Sequence, residues 1–233
     1  MPADTQNALA GLRRWTLVRD DSGPHRVYRD KRGNTYASVT HILKETSPQW
    51  QKDALDRWLE RPSAPAERDI ACQRGTLAHD HAEYVLKTAA KLARNSANKR
   101  GSWRTGDDGL ERAPKGITSW AIEKAIQGAP RVSWSASGYA RGLRAWIGEN
   151  VTAIHAIEFS IHDPRGWAGT ADALLDVGGT LCIADWKTSV NARSEEMLAN
   201  YICQAGAYSL GLQTLTGIKP KSGAIVVARR SGA

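Results

Sequence analysis

The sequence is poor in cysteine, the residue that disulfide bonds and most structural zinc or iron–sulfur sites require. Its 233 residues include three cysteines, Cys72, Cys182 and Cys203, which lie far apart and form no C-x-x-C pair. This spacing argues against a disulfide framework and against a zinc or iron–sulfur site built within this chain. Few and scattered cysteines are typical of a reducing compartment, so we predict an intracellular, cytoplasmic protein.

Long hydrophobic segments are also missing. No apolar run approaches the ~18 residues that a membrane-spanning helix needs, so we expect no membrane association. Residues 1–10 lack the basic segment followed by an apolar one that marks a secretory signal. Arg13 and Arg14 are a minor feature of a mitochondrial transit peptide, but Asp4 and Asp20 argue against one. A bacterial or phage-like setting is therefore preferred over a mitochondrial one.

The composition itself is that of a soluble globular protein with an excess of positive charge. Hydrophobic residues make up 41% and charged residues 24% of a chain long enough for one domain with a buried core. The formal charge of +8 favours a polyanionic partner. Nine tryptophans accompany a single phenylalanine. Tryptophan stacks on bases or fills a core, and we expect most of the nine in the core.

The first part of the chain predicts a small β-hairpin followed by helices. Short runs on either side of residues 30–33 predict a hairpin over 24–37, and residues 38–150 are predicted to be mainly helical. A short helix spans 39–45. A second helix follows, with Ser47 as its cap and Pro48 at its first position. Its apolar residues share one face, which we predict to be core: Trp50, Ala54, Leu55, Trp58 and Leu59.

A longer helix, over 65–93, carries His79 and Glu83 on one face, with Gly75 as a potential kink. A helical histidine taken alone is also typical of a packed or surface residue. Residues 95–116 are Gly-rich, polar and basic and predict a mobile loop, either a solvated insertion or a nucleic-acid contact. Two further helices are predicted, over 117–127 and 133–149.

From residue 151 the pattern changes to short β-strands. Runs over 151–161, 168–177 and 181–186 predict a β-meander, with Gly178 and Gly179 at its last turn. A crossover helix over 195–212 and a final strand over 221–228 follow. The sequence therefore predicts a single α/β domain over 1–233, in which a central mixed sheet is flanked by helices.

Each strand of the meander carries a carboxylate: Glu158, Asp172 and Asp185. A carboxylate within an apolar strand is costly to bury unless a partner or metal compensates it. Asp185 and Lys187 share a face of their strand, although such a pair is also a common strand-end salt bridge. Two carboxylates, a backbone carbonyl and an imidazole are suitable ligands for one or two Mg²⁺ or Mn²⁺ ions.

The crossover helix adds a second polar pair. Gln204 and Tyr208 are four residues apart and share a face. An amide that donates and accepts, beside a ring with a hydroxyl, suits a phosphate or a base near the metals. Each residue also fits as an ordinary interfacial one.

Taken in order, these residues resemble the RecB-like branch of the PD-(D/E)XK nucleases. The series is Gly75-x-x-x-His79, Glu158, Gly169-x-x-Asp172, Asp185-x-Lys187 and Gln204-x-x-x-Tyr208. Residues 38–43, 185–189 and 223–228 are also similar to the mitochondrial genome maintenance exonuclease family and its microbial and phage relatives. The resemblance covers roughly 36–230, with 94–135 unmatched.

The resemblance implies a restriction-endonuclease-like core and a divalent-metal-dependent DNA exonuclease. Such an enzyme hydrolyses phosphodiester bonds of single-stranded or flap DNA from a free end. Some relatives carry a four-cysteine iron–sulfur staple, which three cysteines do not supply, so no cluster is expected. Two alternatives remain: an endonuclease of the same fold, directed by structure or sequence, and a non-catalytic DNA-binding recombination partner. The intact Asp185–Lys187 pair and His79 disfavour the second.

The resemblance also implies metal ligands. Asp172 and Asp185 are the main metal carboxylates, and His79 is a further ligand. A backbone carbonyl of Cys182, Ile183 or Trp186 completes the set, and that of Trp186 is preferred.

The other matched residues are implied to act on the water and the DNA. Lys187 orients the attacking water or stabilises charge in the transition state. Glu158 is an accessory ligand, and Gln204 and Tyr208 position the DNA strand.

Overall fold

A computed structural model describes residues 17–191 and 194–231. The strands in this part of the chain are β1 (Val18–Asp20), β2 (Val27–Arg29), β3 (Thr35–Ser38), β4 (Arg104–Thr105), β5 (Glu111–Arg112), β6 (Val151–Asp163), β7 (Trp167–Val177), β8 (Thr180–Ser189) and β9 (Ser222–Arg229). The helices are α1 (Val39–Glu45), α2 (Gln49–Leu59), α3 (Ala64–Arg100), α4 (Lys115–Gln127), α5 (Trp134–Asn150) and α6 (Glu195–Thr216). None of these helices is both long and apolar enough to cross a membrane.

The central sheet has seven strands and is mixed, as the sequence predicted. Strands β6, β7 and β8 form the antiparallel meander, while β9 is parallel to β8 and β3 is parallel to β7. The last turn of the meander places both Gly178 and Gly179 at positive φ, 57° and 87°, which a tight hairpin turn requires. The predicted N-terminal hairpin is the antiparallel pair β2–β3.

Strand β7 has two different partners along one edge. Its pairing with β3 involves Trp167 and Ala168, whereas its pairing with β8 begins at Ala173. On the other edge it pairs with β6 from Trp167 to Val177. The sheet therefore forks along β7 between Ala168 and Ala173, and Asp172 lies in this fork.

Helices cover both faces of the sheet. Helices α3, α4 and α5 pack on one face in a core that includes Leu175, Ala184 and Trp186. Helices α1 and α6 pack on the other face over a core that includes Leu174 and Ile183. This arrangement confirms the predicted α/β class with a restriction-endonuclease-like core. The sheet that contains the fork has a layer of helices on each face.

Helix α2 differs from its prediction at its start and along its face. Pro48, not Ser47, is the N-cap residue, and the Ser47 hydroxyl donates to the Leu43 carbonyl at 2.7 Å. The predicted core residues of this helix are not buried, since Trp50 is 51% exposed and Leu59 43% exposed. Helical spacing identifies an apolar face, but it does not identify an element that covers it.

The tryptophans also depart from the prediction. Within the described residues only Trp186 is buried, whereas Trp120 and Trp134 are exposed and the rest, Trp50 aside, are partly buried. A large side chain with a polar edge is often only partly buried, so the number of tryptophans in a sequence does not predict how many lie in the hydrophobic core. Trp15 lies outside the described residues.

The stretch over 95–116, predicted as a loop, is mostly regular structure. Helix α3 continues past its expected end to Arg100, without interruption at Gly75, and the hairpin β4–β5 follows. Arg112 anchors this hairpin through ion pairs with Asp108 and with Asp176 of β7. The composition of the stretch predicted a loop because this anchor on β7 is remote in sequence.

Candidate active site

The fork in the sheet exposes a backbone N–H that a carboxylate side chain satisfies. Asp172 extends from β7 into the gap, and its Oδ2 accepts a hydrogen bond of 2.6 Å from the N–H of Trp186 on β8. Trp186 itself packs into the opposite core, where it is 1% exposed. This bond links the Asp172 side chain to β8 just beyond the point where the β7–β8 ladder ends.

Asp185 and Lys187 lie on one face of β8, as the sequence predicted. Asp185 is buried, and its Oδ1 accepts a hydrogen bond of 3.1 Å from Gln204 Nε2. Its Oδ2 forms an ion pair with Lys187 Nζ but makes no hydrogen bond of good geometry. The Lys187 ammonium also lies 5.0 Å from the centroid of the Tyr201 ring. Asp185 therefore retains an acceptor that is only partly satisfied.

Helix α3 brings His79 to the two aspartates. The helix approaches β8 closely at Gly75, where an added Cβ would lie 3.4 Å from Thr188 Oγ1. One turn later, His79 Nδ1 lies 3.7 Å from Asp172 Oδ1. His79 also makes a hydrogen bond to the main chain of Trp186. A glycine before the histidine therefore sets how near the imidazole comes to the fork.

Helix α6 contributes Gln204 and Tyr208, both of which are buried. Gln204 Nε2 donates to Asp185 Oδ1 and to Tyr208 Oη, the latter at 3.0 Å. The Tyr208 ring occupies the space beside Gly169, where any Cβ would overlap it. The Gly169, Tyr208 and Gln204 motif residues thus form one contact chain that ends on Asp185.

Glu158 occupies an unusual backbone position on β6. It lies between the paired residues Ile157 and Phe159, directly across the ladder from Asp172, and its φ is 47°. A positive φ at a residue other than glycine is uncommon and costs energy, so it marks a position held by its surroundings. The result is that two carboxylates face each other across neighbouring strands.

The carboxyl groups of Asp172, Asp185 and Glu158 hold protons more tightly than usual. Burial raises the pKa of Asp172 to about 6, despite the opposing hydrogen bond from Trp186. Burial also raises the pKa of Asp185, although Lys187 opposes the shift. The pKa of Glu158 rises to about 8 because of its enclosure by protein and the charges of Asp172 and Glu83. Burial and Lys187 lower the pKa of His79, which favours the neutral imidazole.

These shifts describe an acidic site without enough positive charge, which a divalent cation would supply. Carboxylate oxygens are the ligands that Mg²⁺ and Mn²⁺ prefer, and a neutral imidazole can add a nitrogen. The half-satisfied Oδ2 of Asp185 fits the same conclusion. Across residues 17–191 and 194–231, no three His, Cys, Asp or Glu side chains form a ready-made metal site. The residues present fit a cation that backbone and water oxygens also bind.

Two residues of the site were not assigned a role by the sequence. Tyr201 lies three residues before Gln204, so the same helical spacing that identified Gln204 and Tyr208 would have found it. Glu83 shares the face of His79, as predicted, and is close enough to raise the pKa of Glu158. For both residues the only signal in the sequence is helical spacing from a residue already assigned to the site, because a tyrosine or a glutamate alone does not indicate a role.

An open cavity of about 410 Å³ leads to the site between α1, α2 and α6. Gln204 and Tyr201 of the site line this cavity, as do Lys44 and Lys52. Asn200 spans the cavity wall by donating to Ser47 Oγ at 2.9 Å. The cavity gives Gln204 an accessible side although most of its surface is buried.

Comparison with known protein families returns one finding that bears on this geometry. Residues 38–231 match the family model described as the PD-(D/E)XK nuclease superfamily. The matched stretch contains every site residue above, from His79 to Tyr208. No curated protein sequence matches the chain.

Proposed function

The chain belongs to the PD-(D/E)XK nuclease superfamily, and from this premise we propose that it is a DNA exonuclease of the RecB-like branch. Membership makes the protein a metal-dependent nuclease. The finer proposal is that it hydrolyses phosphodiester bonds of single-stranded or flap DNA from a free end, with Mg²⁺ or Mn²⁺ and without an iron–sulfur cluster. Such an activity would serve DNA repair or recombination.

One observation carries the proposal: Asp185 is buried and Asp172 partly buried at the fork, the pKa of each carboxyl group is raised, and both lie within reach of the Lys187 charge. A purely structural salt bridge would leave each carboxylate satisfied and its pKa low. The raised pKa values at this site therefore favour a catalytic role, because perturbed groups that converge in a cleft are typical of active sites.

We assign the cation to Asp172 and Asp185, with His79 and the carbonyl of Trp186 as further ligands. A bound divalent ion polarises the phosphate oxygens and lowers the pKa of a water molecule. His79 suits this role because its lowered pKa leaves a ring nitrogen with a free electron pair at neutral pH. Glu158 faces Asp172 and serves as an accessory ligand.

Lys187 is the residue proposed to act on the reacting atoms. Asp185 and the ring of Tyr201 hold its ammonium at the mouth of the site, where it can donate hydrogen bonds to a water or a phosphate oxygen. A fixed cation at this position stabilises negative charge that develops on the phosphate in the transition state. The lysine therefore has an electrostatic and an orienting role.

Gln204 and Tyr208 are proposed to act mainly through Asp185. Their hydrogen bonds fix the rotamer of that carboxylate, so they position a ligand before they touch DNA. Gln204 also lines the open cavity and has access to the strand there. This assignment refines the predicted role of the pair in positioning DNA.

The proposal is tested with labelled linear single strands, duplexes and a covalently closed single-stranded circle, each with Mg²⁺, Mn²⁺ or EDTA. We expect end-dependent degradation of the linear strand with either metal, no product with EDTA, and an intact circle. Cleavage of the circle would instead assign the chain as an endonuclease of the same fold. Salt-sensitive DNA binding without turnover in any metal would assign it as a binding partner.

A further inference from the structure

A second cavity lies along α3, beyond the acidic site. It has a volume of about 320 Å³ and is enclosed by the C-terminal half of α3, the β4–β5 hairpin and residues 153–157 of β6. Cavities of this size are large enough to hold a small organic ligand. The hairpin that closes the cavity belongs to the stretch with no counterpart in the resemblance, so no role is implied for it.

The wall of the cavity is suited to a flat, apolar group. Small side chains, among them Ala90 and Ala153, line it together with the indole of Trp103. The ring of Trp103 is fixed in orientation, because its Nε1 donates to Asn98 Oδ1 at 2.7 Å. Aromatic side chains of this kind stack on nucleic acid bases in many single-strand-binding proteins.

The rim of the cavity carries several cations and one exposed carboxylate, Glu111. Lys87, Lys91 and Arg94 follow one another at helical spacing on α3, so their side chains project to the same side. Lys87 forms an ion pair with Glu83, but Lys91 and Arg94 are exposed and take part in none of the ion pairs among the described residues. Unpaired cations around an apolar cavity suit a ligand that has a base and phosphates.

The cavity is adjacent to the acidic site along two elements. Ile157, which lines the cavity, precedes Glu158 on β6, and Lys87, which also lines it, is paired with Glu83 one turn after His79 on α3. From His79 to Lys91 the helix advances ~18 Å at 1.5 Å per residue, and to Arg94 ~22 Å. One polynucleotide strand can therefore reach both the acidic site and the cavity.

We propose that this cavity binds an unstacked base of the substrate strand, with the adjoining phosphates on Lys91 and Arg94. The inference rests on the proposed nuclease function and adds a subsite for one base of the strand, because a base that stacks on Trp103 has to leave its own helix. A duplex keeps both faces of each internal base stacked, so the cavity selects single-stranded nucleic acid.

The test measures binding of fluorescent oligothymidylates by anisotropy, with EDTA to prevent cleavage. Strands of about 4 and about 16 nucleotides are compared, the range of site sizes in single-strand-binding folds. The main variant is Lys91→Ala/Arg94→Ala. The control is Lys99→Ala/Arg100→Ala, which removes the same charge from exposed positions at the end of the same helix, outside the cavity.

For the longer strand we expect the K91A/R94A variant to reduce the salt slope of log K by about 1.4, the value for two phosphate contacts on a single strand. Binding of the shorter strand and all binding by the control should change much less. Trp103→Leu should weaken binding of the longer strand about 5- to 150-fold, while Trp103→Phe retains most of the affinity. Circular dichroism verifies that each variant is folded.

The outcomes separate this inference from the function on which it rests. If wild type degrades linear strands but K91A/R94A matches the control at both lengths, the cavity proposal is wrong and the nuclease proposal stands. If K91A/R94A weakens duplex binding and leaves single strands unchanged, the rim binds duplex backbone and the proposal is also wrong. If wild type neither binds nor cleaves, both proposals fail.

Discussion

Two ionic clusters lie on the same strand of this protein, four residues apart, and they behave in opposite ways. In the middle of β7, Asp172 meets His79 and the Asp185–Lys187 pair. Further along, Asp176 meets His155 and Arg112. Each cluster contains a buried acid, a histidine and a cation.

The two aspartates differ in how many donors reach them. Burial alone would raise the pKa of Asp176, but hydrogen bonds with His155 and Arg112 outweigh it and lower the pKa to about 2. Asp172 receives the Trp186 N–H, and its pKa rises to about 6. A complete set of donors produces a structural anchor for the hairpin. An incomplete set leaves a site that a cation and a substrate can complete.

The largest effect is expected from removal of the charged pair in the incomplete cluster. Asp185→Ala or Lys187→Ala should lower the rate of DNA hydrolysis by about two to three orders of magnitude or more. Binding of DNA in EDTA should survive, because neither residue is part of the cationic rim. Hydrolysis with Mg²⁺ or Mn²⁺ at the wild-type rate by both purified variants would contradict the assignment.

The reverse pattern is expected in the complete cluster. Asp176→Asn removes the buried carboxylate that Arg112 and His155 share and leaves Arg112 paired with Asp108 alone, so it should lower the free energy of unfolding by about 3 kcal/mol. The rate of hydrolysis per folded molecule should change little. Urea denaturation measures the stability, and an activity assay at low temperature measures the rate separately. A loss of rate without a loss of stability would contradict the structural role assigned to the Asp176 cluster.

The pH dependence of stability should have opposite signs in the two clusters. The folded-state pKa values of Asp172, about 6, and Glu158, about 8, are above their ordinary values of 3.8 and 4.5. Their stabilising contribution is present below the ordinary values and is lost as pH rises through 6 and 8. Asp176, at about 2, contributes stability above 3.8 that is lost as pH falls towards 2.

Thermal unfolding in EDTA from pH 2 to pH 9 measures this difference. Relative to wild type, Glu158→Gln and Asp172→Asn should become more stable as pH rises, because their amides do not ionise. Asp176→Asn should approach wild-type stability only at acidic pH. Equal pH profiles for all three variants would show that the clusters do not differ in this way.

The smallest effect is expected at the tyrosine hydroxyl behind the site. Tyr208→Phe removes the partner of Gln204, and a single hydrogen bond contributes about 1 kcal/mol, so kcat should fall about fivefold. Tyr139→Phe is the matched control, because the Tyr139 hydroxyl is buried without a hydrogen-bond partner. A similar kcat in both variants would mean that Tyr208 does not position Asp185.

Much of the fold follows from local pattern, as the meander illustrates. The apolar runs on either side of the Gly178–Gly179 turn predicted strands β7 and β8 and their antiparallel pairing. The i, i+2 spacing of Asp185 and Lys187 predicted that their side chains share one face of β8. The placement of His79 depended on resemblance, because a helical histidine carries no signal of its own. His155 shows this, since it was not singled out and completes the structural cluster.

What the sequence did not predict are features that depend on remote partners. The fork in β7 exists because β3 and β8 pair with different parts of one edge. The hairpin in the expected loop exists because Arg112 reaches Asp176. The positive φ of Glu158 likewise depends on its position opposite Asp172. Local composition does not contain these pairings, so only the folded chain reveals them.

Gly169 contributes no atom to the proposed chemistry, yet it leaves room for the ring whose hydroxyl holds Gln204 against Asp185. Even alanine at this position would force the tyrosine aside, and the displacement would pass through the glutamine to the metal ligand. In a survey of all single substitutions, position 169 should therefore rank with the acidic residues in its intolerance. Its neighbours in sequence would not predict that ranking.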